Sequence, residues 1–313
     1  MTSIVDLGAL DAQLSEAEIQ DFRERAKDGS VQPAGSAEQR LRLSLFAALN
    51  GFEFGAHRGA VNYPGMIFGL GYNRGVSQHI LRRGENFLDI GNYGYTVNDG
   101  KTEFSYGYGF VAIKLQRRMP HLVLDSNKNN FLGATQLPVG FSSKQRISLE
   151  GNFDEYFTMY CPKGYERDAL YVFTPDLMAL MIDEAVSVDA EIIDDWMFLY
   201  QFGGFDLSNP QTMATLFGII ETVGAKTLAR TVHYADSRHN LGGEAVSGSV
   251  GAGVSDRMAH NQVSAAGARL KRGMAPPLKI AVWVTSIVIG IPVVWGIAQI
   301  AIMIAATVRS FTG

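Results

Sequence analysis

The sequence predicts an α+β fold: a cytoplasmic domain of antiparallel strands and hairpins with a few helices, followed by one C-terminal transmembrane helix. Three observations predict it. Residues 87–114 are rich in aromatic and β-branched side chains around Asn98-Asp99-Gly100, a turn sequence that favours a hairpin. Stretches before residue 50 and after Pro210 carry helical apolar spacing instead. Residues 280–308 have no charge between Lys279 and Arg309. At ~1.5 Å per residue that run crosses a hydrocarbon core of roughly 30 Å once and is too short to cross it twice.

Residues 1–50 read as N-terminal helices. Ser15-Glu16-Ala17-Glu18 has capping-box spacing and opens a short polar helix that stops near Gly29. Ser36-Ala37-Glu38-Gln39 repeats the device, and Leu41, Leu45, Ala48 and Leu49 form a stripe ending at Asn50-Gly51. Residues 51–235 form the α+β domain. Its first hairpin places Tyr93 and Tyr95 on one arm and Tyr106 and Tyr108 on the other, at spacing two, so each pair lines a single face. Half-buried sheet packing is the first reading of these tyrosines and an interaction surface the second.

Short strands follow at 121–124, 146–149, 156–160 and 169–173. Thr174-Pro175-Asp176 starts a helix, with Pro at its first position and an acid at the positive end of its dipole. Residues 190–193 and 196–200 read as a second hairpin turning at Asp194-Asp195. Met213, Leu216, Phe217, Ile220, Val223 and Leu228 then fall on one side of a helix. Residues 236–279 are Gly/Ala/Ser-rich with few large apolar side chains, the composition of a flexible tether.

The runs YGYTVNDGKTEFSYGYGFVAIKL, LPVGF, FDEYFTMYCPKGYERDALYVFTPDLMALMID and EIIDDWMFLY resemble a family of uncharacterised, membrane-associated proteins of actinobacteria and related bacteria that carry a domain of unknown function. The resemblance covers roughly residues 64–201. It implies the extent of the domain and a bacterial membrane setting, and implies no activity, ligand or catalytic residue.

Within the span from Ile280 to Val308, Pro292 removes a backbone donor and predicts a kink. Trp283 lies near one end, where an interface would hold it, whereas Trp295 is central. Gln299 is the strongly polar side chain of the run and a candidate for bonding a neighbouring helix. Arg269, Lys271, Arg272 and Lys279 precede the span and Arg309 alone follows it, which places the N-terminal domain in the cytoplasm. The first twenty residues lack a basic region and an apolar core, so they do not read as a signal peptide. One cysteine, Cys161, allows no internal disulfide and fits a reducing compartment.

No catalytic, cofactor-binding or metal-binding residue emerges. The glycines of Gly69-Leu70-Gly71-Tyr72-Asn73-Arg74-Gly75 depart from G-x-G-x-x-G by one position and lack a βαβ setting, so they read as a turn between strands. Neither GxxxxGK[ST] nor G-x-S-x-G occurs. His233 and His239 flank Asp236 at the edge of the tether and read as solvated, and the other histidines are scattered. Cys161 reads as a structural strand-end thiol, having no identifiable base. Asp194 and Asp195, near Asp189 and Glu191, read as turn chemistry, because neighbours on a strand point to opposite faces. From Asp168 to Glu221 the chain carries acids and no Lys or Arg, read as a solvated acidic face.

With 31 acidic against 27 basic residues, nucleic acid is excluded as the main partner. The expected partners are the lipid bilayer and another protein, with no cofactor. The leading expectation is a tail-anchored, non-enzymatic binding or scaffold protein. An accessory subunit of a larger membrane complex is the second, and a membrane-proximal enzyme the third.

Overall fold

The computed structural model describes residues 5–25, 35–130, 134–238 and 262–272. The expected span, with Ile280, Trp283, Pro292, Trp295, Gln299 and Val308, lies outside the described residues, as does His239. Among the described residues no helix is long and apolar enough to cross a membrane.

The short helices α1 (Gly8–Asp11) and α2 (Glu16–Arg25) lead into α3 (Ala37–Leu49), whose capping box forms as the sequence requires: Ser36 Oγ accepts from the Gln39 N–H, and Gln39 reaches back to the Ser36 N–H. An antiparallel seven-stranded sheet follows, in the order β1 (Glu53–Gly59), β2 (Tyr72–Arg82), β3 (Leu88–Asn98), β4 (Glu103–Ser126), β6 (Phe157–Tyr160), β5 (Arg146–Ile147), with β7 (Asp189–Phe202) also paired to β4. β4 is the spine. Its early half pairs with β3 and its end with β6, while β7 runs beside both parts. The β3–β4 hairpin closes where expected: Asn98 pairs with Glu103, and the Asp99 carboxylate accepts from the Lys101 and Thr102 amides.

Two expectations fail. Residues 169–172 are not a strand but part of α5 (Glu166–Val172), which buries Ala169 and Val172 and exposes Leu170 and Tyr171, and Phe173, buried too, follows it. That spacing is helical, and a five-residue apolar run does not distinguish the two periods. Asp194-Asp195 is likewise no hairpin turn. β7 passes straight through it, with Asp194 at φ +52° and the β4–β7 register slipping between Lys114 and Leu122. The irregularity shifts the alternation, so Phe198 and Tyr200 share a face with Ile193, whereas Ile192 faces the other way. A break in period two marks a bulge as readily as a turn. The expected strand 121–124 accordingly lies within β4, the expected strand 146–149 shortens to β5, and the expected strand 156–160 is β6, directly after the short helix α4 (Phe153–Tyr156).

The middle of the sheet is buried on both faces, whereas β1 and the tip of the β3–β4 hairpin are exposed. On one face, α3, α5, α6 (Pro175–Glu184) and α7 (Pro210–Ile219) contribute Leu43, Phe46, Val172, Leu177, Met181, Met213 and Phe217 to the larger core. Each fully buried Phe or Leu stabilises by roughly 1.5–3 kcal/mol relative to exposure. α7 is capped by Asn209, starts at Pro210, and continues through a π-helical turn (Ile220–Gly224) into α8 (Ala225–Thr231). The opposite face has no comparable helical cover. Its core of aromatic residues lies beneath loop residues 61–70 and 137–141 and beneath a strap, residues 262–272, which contains α9 (Ala265–Ala268).

Of the expected tether over 236–279, residues 236–238 and 262–272 are described and pack against the domain, and the rest lies outside the described residues. Leu270 is 6% exposed and Asp236 5% exposed, and the Arg272 backbone bridges Phe141. Backbone bonding compensates for the small side chains that made this segment read as unstructured.

Candidate functional site

The strap lies over a row of polar residues buried in the sheet. β4 contributes His121, and β7 contributes Glu191 and Tyr200. The Leu270 N–H lies 3.1 Å from His121 Nδ1. A backbone N–H only donates, so Nδ1 accepts and the ring proton sits on Nε2, which donates to Glu191 Oε1 at 2.8 Å. Glu191 Oε2 also accepts from the Tyr200 hydroxyl and the Met66 N–H, each at 2.7 Å. Three donors thus compensate a carboxylate that is fully buried. Burial, then the charge of Glu191, push the Tyr200 phenol well above its ordinary pKa, so it stays a donor.

Contacts on either side fasten the strap. Arg269 forks onto Asp194 at 3.0 and 2.8 Å, so the residue at the strand irregularity receives the strap's cation. The Lys271 N–H donates to Gln145 Oε1 at 2.8 Å, and the Ser142 N–H to the Lys271 carbonyl at 3.1 Å. At the entrance, Tyr165 bonds both Asp236 Oδ2 and Ser264 Oγ, while the Arg238 guanidinium lies 3.8 Å over its ring. Gly267 packs on that ring, where a Cβ would come within 2.3 Å of Tyr165 Cζ.

Further along, Asp125 and Asp189 are buried at the end of β4 and the start of β7. The Ser126 N–H donates to Asp189 Oδ1, and Thr135 to Asp125 Oδ1, both at 2.8 Å. Burial raises Asp125 to about 6. Burial, then the charge of Asp125, raise Asp189 to about 7, and the Asn129 amide beside it opposes that shift without completing a hydrogen bond. The acidic stretch is therefore not one solvated face. Asp189 and Glu191 belong to the interior, which composition alone did not show because their partners come from distant segments.

No family model matches this chain. No curated protein matches it either. Among solved structures it is similar to the crystal structure of the mycobacterial trehalose monomycolate transport factor A, TtfA, at 9% identity and a TM-score of 0.42, over 62% of this chain and 96% of that one. At that distance no residue or role is carried across.

The tyrosines proposed as a surface divide. Tyr93, Tyr95 and Tyr108 are 1%, 5% and 2% exposed, so they are packing residues and not an open surface. Tyr106 is half-buried and stacks on Tyr95 at 5.4 Å. Beyond it the ladder opens: Phe104 and Phe202 are 44% and 43% exposed, and neither was singled out from the sequence. The alternation Phe104-Tyr106-Tyr108 contained the signal. Cys161 is buried, and burial pushes its thiol up to about 12, as a structural cysteine requires. Gly69 and Gly71 have φ of +91° and +57° in the turn before β2. Among the described residues no group of His, Cys, Asp and Glu has a metal-binding arrangement. A groove of about 630 Å³ has apolar walls that include Leu88, Ile113, Phe217 and Leu228, and its described lining contains no Ser, Cys or His. Lys114, at its side, is committed to Asp195 and to the Trp196 ring.

Proposed function

We propose that this protein is a tail-anchored membrane protein with a non-enzymatic cytoplasmic domain, which presents the open end of its aromatic ladder to another protein. The observation that carries this reading is the exposure of Phe104 and Phe202 beside half-buried Tyr106. Aromatic side chains are enriched at the centres of protein interfaces, where they bury area at low entropic cost. This end of β4 lies about 50 Å along the strand from His121 under the strap, at 3.3 Å per residue. In sequence the strap precedes the apolar run 280–308, and the ladder's open end is at the other end of β4 from the strap, which suits a partner met away from the anchor.

Crosslinking and mild-detergent co-purification from the native membrane test the reading. The wild-type chain is expected to retain a partner that a Phe104→Ser/Phe202→Ser double variant loses. Isolation of the chain alone in every condition, or identical partners for the two chains, would refute it. The second reading, an accessory subunit held by its span, is favoured by Gln299 in the apolar run. It predicts that exchanging the span for an unrelated single-span anchor abolishes assembly, whereas the scaffold reading predicts that assembly survives.

A further inference from the structure

Where the strap leaves the described fold, four cations gather from two distant parts of the chain. Lys271 and Arg272 come from the strap, and Lys144 and Arg146 flank Gln145, which accepts the Lys271 N–H. The Phe141–Arg272 bridge and the bond from Ser142 to Lys271 hold the two segments in backbone register. All four residues are exposed, and among the described residues none forms an ion pair. The nearby cation Arg269 is instead committed to Asp194. The charge of Arg146 reaches Asp125, but that carboxyl is 4% exposed and lies below the surface. Glu150, on the loop after β5, is exposed.

Position gives this cluster its meaning. Only residues 273–279 separate Arg272 from Ile280. Even fully extended, seven residues reach about 25 Å. Anchored by the span, the four cations therefore stay within a few Debye lengths of the bilayer surface at physiological salt. Each basic residue held near an anionic surface gains from its negative potential. We propose that Lys144, Arg146, Lys271 and Arg272 form a docking patch for anionic phospholipid headgroups, which seats this end of the sheet on the membrane. The proposal rests on the tail-anchor reading.

Full-length protein with Ser143→Cys, beside Lys144, carries the test label. Ser143 is exposed, whereas Cys161 is 1% exposed and does not compete for the dye. The labelled chain is reconstituted into phosphatidylcholine vesicles, or into vesicles with roughly a third phosphatidylglycerol, each with a headgroup-attached quencher. Quenching is expected to be about twofold greater in the anionic vesicles. The difference should vanish near 1 M salt, where the Debye length is about 3 Å, and in the Lys144→Gln/Arg146→Gln/Lys271→Gln/Arg272→Gln variant. If that variant does not fold, Lys144→Gln/Arg146→Gln, which leaves the strap intact, should lose a substantial part of the difference.

Equal quenching in the two vesicle types, or an unchanged difference in the variants, overturns the patch. So does a duplex oligonucleotide retained by wild type and not by the variant without any lipid difference, which would assign the cations to nucleic acid. Flotation separates the two readings. A chain that floats with neutral vesicles but shows no lipid difference keeps its anchor and loses the patch; one that floats with neither loses the anchor, and the patch falls with it.

Discussion

The two ends of β4 are built on opposite principles. At the hairpin end, Tyr93, Tyr95, Tyr106 and Tyr108 hold neighbouring strands through ring contacts, with centroids 5.4–6.4 Å apart. At the strap end, the same sheet face buries His121 and Glu191 and closes with directional bonds to backbone amides. Burial of ring area is non-directional and forgiving of small shifts where the ladder opens to solvent. A buried carboxylate with three assigned donors is not, because each lost partner leaves an uncompensated polar group. The open tip of the ladder, at Phe104 and Phe202, therefore tolerates change, whereas the strap end specifies a single arrangement of segments far apart in sequence.

The sharpest way to break this contrast is Glu191→Ala, which leaves the His121, Tyr200 and Met66 donors without their acceptor. We expect a loss of about 3–5 kcal/mol, measured by denaturant unfolding. A loss no larger than that of an exposed substitution would show that the polar seam is not the discriminating feature. Gly267→Val comes next: Gly267 is buried, its new side chain meets the Tyr165 ring, and an overpacking loss of roughly 1–3 kcal/mol is expected. Trypsin should then cut faster at Arg269 and Arg272 while the hairpin end keeps its thermal transition. Concerted loss of both ends would make the strap part of one cooperative unit.

Acidity sharpens the same comparison. Asp125 and Asp189, at about 6 and about 7, lie above the ordinary 3.8, so the folded chain binds their protons more tightly than the unfolded chain. Their contribution is fully present below about pH 4 and is lost as pH rises through 6–7, by a few kcal/mol at most. The melting temperature should therefore fall between pH 5 and pH 8 by an amount that Asp189→Asn reduces. The two carboxyls titrate as a pair, so the midpoint belongs to both. An unchanged slope in Asp189→Asn would remove this pair as the source.

The contrast also explains what was legible in the sequence. The hairpin end was readable because its determinants are local: Asn98-Asp99-Gly100 supplies the turn, and the tyrosines alternate at period two. The Ser36 capping box and the Thr174-Pro175 helix start were readable for the same reason. The strap end was not. Within 262–272 only Val263 and Leu270 are large and apolar, and the segment's order comes from partners such as His121 and Gln145, more than a hundred residues away. Glu191 and Asp189 read as solvent-facing because a carboxylate's burial depends on donors that its own neighbourhood does not contain. Asp194 misled for a further reason, since a bulge and a turn break the alternation alike.

The smallest expected effect tests the tolerant end. Phe104 is 44% exposed and sits opposite Val97 near the hairpin tip, so Phe104→Ser removes a ring that the fold scarcely uses. The change in unfolding free energy should stay within about 0.5 kcal/mol, as for ordinary surface substitutions. Partner retention should nevertheless fall. Together the two measurements separate a residue kept for packing from one kept for contact. A stability loss comparable to that of Tyr108→Ala, whose ring is 2% exposed, would mean that the ladder is core to its tip. The interaction surface would then have to be sought elsewhere on the domain.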